Sequence, residues 1–166
     1  VDDDSGERLK KVIAMKKKAE AGDPEAMCNL TDLYYCGFNG LHKDMKQAYL
    51  WCSKAADLDC VTGMAFKGMM LYKGEGVDKD ETAGAAVLGV AAGRDSAFAC
   101  YILGFEYFLG ELGLPEDNKL AKYWLTKALE LDQDDKKETG HGLTDGVLDG
   151  CKKMLEELDG DTKDER

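Results

Sequence analysis

One pattern recurs three times along this chain of 166 residues, and it restricts the fold more than any other feature. Segment 26–56 aligns with 63–92 and with 99–129. The first half of each copy carries Ala26, Leu30, Tyr34 and Gly37, then Gly63, Lys67, Leu71 and Gly74, then Ala99, Leu103, Tyr107 and Gly110. The second half carries Leu41, Asp44, Ala48, Trp51 and Ala55, then Val77, Asp80, Gly84, Val87 and Ala91, then Leu114, Asp117, Ala121, Trp124 and Ala128. The middle copy is one residue shorter in its loop. Internal repetition at this period marks a stacked-repeat architecture.

Each half has the i, i+3, i+4 spacing that puts side chains on one face of a helix. Gly37, Gly74 and Gly110 stand where a first helix ends in the left-handed conformation. Asp44, Asp80 and Asp117 stand where a second helix needs its free N–H groups capped. The unit is therefore a helix, a turn and an antiparallel helix. Gly68 and Gly104 mark close approach of the partner helix, with Thr31 in that place in the first copy, and Trp51 and Trp124 fill the groove between repeats. A single pair cannot bury its apolar faces, so stability comes from stacking. The expected fold is all-α, a right-handed αα superhelix of about three repeats with flanking capping helices. Circular dichroism is expected to show helix and no strand.

The pattern sets the expected organisation. Residues 1–6 form a disordered acidic N-terminus, and 7–131 the array, with a partial repeat at 7–25 and repeats at 26–59, 60–95 and 96–131. The polar stretch 132–143 reads as a loop. Residues 144–158 place Val147, Leu148, Cys151, Leu155 and Leu158 on one side, as an amphipathic capping helix does. Residues 159–166 form a frayed tail.

Composition excludes several functions. The net charge of −11 repels nucleic acid and anionic membranes. The one basic run, Lys16-Lys17-Lys18, sits on a helix beside Glu20 and reads as a solvated face. No apolar run approaches the roughly 20 residues of a spanning helix, so no direct membrane insertion is expected. Six cysteines (Cys28, Cys36, Cys52, Cys60, Cys100 and Cys151) lack C-x-x-C or zinc spacing. They read as mostly buried, reduced thiols of an intracellular, soluble protein. His42 and His141 lie in loops, away from any nucleophile. Gly74-x-Gly76 follows a helix rather than a strand, so it is no phosphate loop. No catalytic residue, metal site or cofactor is expected, and the chain is not expected to be an enzyme.

The combination A-x-x-x-L-G-x-x-Y-x-x-G, G-x-G-V-x-x-D and K-A-x-x-W-x-x-K-A-A resembles the Sel-1-like repeat, a tetratricopeptide-like αα solenoid. The third copy matches with Ala99, Leu103, Gly104, Tyr107, Gly110, Asp117, Ala121, Trp124 and Ala128. The second supplies Gly74, Gly76, Val77 and Asp80 but departs at Lys67 and Val87, and the first departs at Thr31. Segment 18–26 resembles the join between two repeats. In cysteine-rich bacterial relatives the end of one repeat is bridged to the start of the next; here Cys100 holds the second place and Ala92 the first, so that bridge is absent.

The resemblance implies a non-catalytic scaffold or adaptor. Its partner is another protein, held as a peptide or helix in a concave groove lined by the first helices. Two other roles fit the same family, a permanent structural subunit of a large assembly and a disulfide-bearing assembly factor. On the groove face, Tyr35, Tyr72 and Phe108 form one row, Asp32, Met69 and Phe105 a second, and Cys28 and Tyr101 lie a turn earlier beside Ala65. Exposed aromatic and Met side chains are what interface hot spots use. The alternative for Tyr101, Phe105 and Phe108 is packing against adjacent helices or the capping helix.

Overall fold

A computed structural model describes residues 4–37, 41–110, 117–139 and 143–161. Among the described residues there are eight helices and no strand: α1 (Asp4–Glu20), α2 (Pro24–Cys36), α3 (Met45–Asp57), α4 (Val61–Lys73), α5 (Glu81–Gly93), α6 (Ala97–Leu109), α7 (Asn118–Thr139) and α8 (Asp145–Asp161).

Short polar side chains start α2, α3, α5, α6 and α7. Asp44 accepts from the Gln47 N–H at 3.0 Å, Asp80 from Ala83 at 2.9 Å, and Asp117 from Lys119 and Leu120 at 3.0 Å. Asp23 and Ser96 cap α2 and α6 in the same way. Gly37, Gly74 and Gly110 end the first helices with φ of 77°, 70° and 66°, each donating its N–H to a carbonyl of the last turn. The Asp44, Asp80 and Asp117 N–H groups then return to the carbonyls of Tyr34, Leu71 and Tyr107. The middle loop is the one with the shorter return, as its missing residue requires. Asp80→Ala is expected to cost about 1 kcal/mol, the usual value of an N-cap. Urea denaturation followed by circular dichroism measures it.

The turns between repeats also share one backbone. Gly22, Asp59 and Asp95 have φ of 96°, 64° and 61°. The residue after each, Asp23, Cys60 or Ser96, donates its N–H to Lys18, Ala55 or Ala91 respectively. The end of α1 is thus built like the ends of α3 and α5.

The chain divides into two compact units, residues 1–87 and 88–166. In the first, Val12, Ala19, Leu30, Ala48, Cys52, Ala55, Ala65 and Met70 are almost wholly buried. Small residues let α4 and α5 touch there: a Cβ at Gly84 would lie 2.6 Å from the Tyr72 backbone nitrogen. In the second, Leu88, Ala91, Ala99, Cys100, Ala121, Leu125, Ala128 and Cys151 are buried, and a Cβ at Gly104 would meet Leu125 at 2.7 Å. Trp51 is buried, whereas its counterpart Trp124 is half-buried. Lys54 and Lys127 lie over these two indoles, 4.6 and 5.7 Å from the ring centroids.

Three boundaries differ from the sequence expectation. α1 begins at Asp4, inside the stretch expected to be disordered; one glycine, Gly6, weakens a helix but does not stop it. α7 runs to Thr139, through residues expected to form a loop. The stretch from Gln133 to Glu138 is polar yet has no Gly or Pro, and its Gln, Lys and Glu are good helix formers. Buried Asp132 accepts the Leu143 N–H, which draws the chain back toward α7. α8 continues to Asp161, past the expected end at Leu158.

Candidate interaction face

In the first unit the face expected to bind is carried by α2 and α4, helices that end in matching glycine caps. Tyr35 and Tyr72 hold the same place in these two helices, and both are half-buried. The Tyr35 hydroxyl donates to the Glu75 carboxylate at 2.8 Å. Burial, then this hydrogen bond, pushes the phenol above its usual range. Lys43 lies 5.7 Å from the Tyr35 ring centroid and Lys79 5.9 Å from that of Tyr72. Lys79 also pairs with Glu81 at 2.6 Å. Asp32 is exposed one turn before Tyr35, and the Cys36 thiol faces its carboxylate at 3.7 Å. The Cys36 thiol is held above the usual range by burial first and by Asp32 second. The arrangement is two tyrosine rings among mixed charges.

Two expected members of this face point elsewhere. Cys28 is buried, and its sulfur meets that of Cys60 at 3.7 Å, so it turns toward the start of α4 rather than to solvent. Met69 is also buried, with 7 % of its surface exposed. α4 is covered by α2, α3 and α5, which leaves less of its circumference open than the repeat pattern alone implies.

In the second unit the aromatic stripe is partly covered by the chain itself. Tyr101, Phe105 and Phe108, with Tyr107, pack on a cluster of Ala121, Leu125, Cys151, Met154 and Leu158 contributed by α7 and α8. The Tyr101 and Phe105 rings are tilted at 38°, centroids 6.1 Å apart. Burial raises the Tyr101 phenol, and the nearby Cys151 adds to it. These side chains seat α8.

Burial governs the other thiols. Cys52 is pushed up to about 12, and Cys100 and Cys151 to about 11, in each case mainly by desolvation. They are protonated at neutral pH and serve packing. Among the described residues no three His, Cys, Asp or Glu side chains converge as a metal site would require. His42 is exposed, and His141 lies outside the described residues.

A feature the repeat pattern did not indicate is a shallow open groove of about 570 Å³ along α7, lined by Lys119, Lys122, Tyr123, Thr126, Lys127 and Glu130. Tyr123 is 56 % exposed there. Lys127 pairs with Asp95 at 2.9 Å and Lys122 with Asp159. The i, i+3, i+4, i+8 spacing of Lys119, Lys122, Tyr123 and Lys127 is the sequence signal that marks it.

A sequence model of the Sel1 repeat matches residues 24–60, 62–86 and 97–133. The chain belongs to the Sel1 repeat family. A solved Sel1 repeat protein from Oxalobacter formigenes is similar at 29 % identity and a TM-score of 0.57, over 70 % of this chain and 88 % of that one. A protective antigen of uropathogenic Escherichia coli with an SLR fold matches at 24 % identity and a TM-score of 0.57. That alignment covers 85 % of this chain and 32 % of the longer antigen, and it speaks to fold alone. No curated protein matches the sequence. Sel1 repeats generally mediate protein–protein interaction, and their fold is typically non-catalytic. No helix among the described residues of this Sel1 repeat protein is long and apolar enough to cross a membrane.

Proposed function

We propose that this Sel1 repeat protein is a non-catalytic scaffold that holds a peptide or helix of a partner protein on the open side of α2 and α4. The observation that carries this reading is the pair Tyr35 and Tyr72, equivalent in the repeat, half-exposed and each flanked by a lysine. Tyrosine suits such a role because it offers a large rigid surface with a polar tip and loses little rotamer freedom on binding. Glu75 already orients the Tyr35 ring, which lowers the ordering cost further. Asp32 adds a negative charge beside them. The ligand that fits is an amphipathic segment with an apolar anchor for the rings and a basic residue for Asp32. In the second unit, packing on the α7 and α8 cluster takes up part of Tyr101, Phe105 and Phe108 and leaves less of them to a partner.

Tyr35→Ala and Tyr72→Ala are each expected to weaken partner binding by 1 kcal/mol or more, roughly fivefold. The check is quantitative recovery of partner by wild type and variants, beside their urea midpoints. Loss of partner with an unchanged midpoint supports the reading. Undiminished binding by both variants overturns it.

A further inference from the structure

We propose that Cys28 and Cys60 are a redox-active dithiol that closes to a disulfide in an oxidising glutathione poise and clamps α2 to the start of α4. This site is independent of the binding reading above. The two sulfurs are 3.7 Å apart although 32 residues separate them in sequence. A disulfide needs about 2.0 Å between sulfurs. Closure therefore requires the two sulfurs to approach by about 1.7 Å, through side-chain rotation or a small shift of α2 against the start of α4. Cys60 occupies the N-cap of α4 but makes no side-chain capping bond there, so turning its side chain sacrifices no cap.

The other cysteines are placed differently. Cys36 faces the Asp32 carboxylate, Cys52 faces the Tyr49 carbonyl and the Met70 sulfur, and Cys100 faces the Ala92 carbonyl. Cys151 is enclosed by the cluster under α8. The contact with Cys60, then burial, holds the Cys28 thiol above the usual range. Cys60 is the more exposed of the pair, so an incoming disulfide meets it first.

The oxidant is a small disulfide such as oxidised glutathione. The Cys60 thiolate attacks one glutathione sulfur; the glutathione S–S bond breaks, a Cys60–glutathione S–S bond forms, and the departing glutathione thiolate takes up the Cys60 proton. Cys28 then attacks the Cys60 sulfur. The second glutathione leaves as its thiolate and receives the Cys28 proton. Two protein thiols are oxidised by two electrons, and one glutathione disulfide is reduced to two thiols. The closed loop encloses α3 and joins two helices that touch each other less extensively than each touches α3.

The test equilibrates the full chain in glutathione buffers from reducing to oxidising, traps thiols by alkylation, and maps peptides by mass spectrometry. The expected result is a peptide joining Cys28 to Cys60, with a rise in Tm of about 5–10 °C, as cross-linking a loop of this length implies. Cys60→Ser, at the more exposed position, should fold and lose both effects, and Cys52→Ala should keep both. Four outcomes overturn the proposal: both cysteines alkylated in folded protein at the most oxidising poise, a persistent glutathione adduct on Cys60, a link from Cys60 to Cys52, or a linked protein whose Tm does not rise.

Discussion

Leu30→Asp is expected to destabilise the protein by about 5 kcal/mol, on the scale of the whole stability of a small domain. Leu30 is wholly buried in α2, at the anchor place of the first repeat. The substitution removes an apolar side chain from the core and leaves an unpaired carboxylate there. Leu50→Asp is the matched control. Leu50 belongs to α3 in the same unit but is 43 % exposed, and its change is expected to stay within about 0.5 kcal/mol. Urea titration followed by circular dichroism separates them, and equal losses would reject the assigned register. The same reasoning reorders the tryptophans. Repeat position makes Trp51 and Trp124 equal anchors, whereas burial makes Trp51→Ala the costlier change.

Gly76→Ala is expected to cost about 3 kcal/mol or more, the second-largest effect. Gly76 has φ of 76°, and a Cβ on it would lie 2.0 Å from the Met45 carbonyl oxygen. The backbone at the start of α3 would have to move, because a backbone oxygen has no rotamer through which to retreat. Gly22→Ala isolates the conformational part. Gly22 has φ of 96°, and a Cβ on it would have nothing within 4 Å, so it should lose only about 1 kcal/mol. Thermal denaturation of the two variants checks the contrast; comparable losses would mean that the contact with Met45 carries no weight.

Local chemistry was legible in the sequence. Asp44, Asp80 and Asp117 cap, and Gly37, Gly74 and Gly110 turn, because each needs only its own few neighbours to act. The turn residues Asp59 and Asp95 were not legible, since Asp is tolerated in the left-handed region without requiring it. Gly22, at the equivalent place, shows what they share. The candidate face was legible in part. Repeat equivalence aligned Tyr35 with Tyr72, but which side chains stay open depends on how many helices surround each one. That is why Met69 and Cys28 are buried while Asp32 is exposed. The packing of α8 on Tyr101, Phe105 and Phe108 depends on the path of the chain after α7, which no repeat specifies.

The binding role of α2 and α4 is tested most directly by photocrosslinking from single positions. A benzophenone amino acid placed at Tyr72, and separately at exposed Leu50 on α3, samples two sides of the first unit. Capture of the partner from position 72 and not from position 50 is the expected result. Capture from position 50 alone, or from neither while the partner still binds, would contradict it.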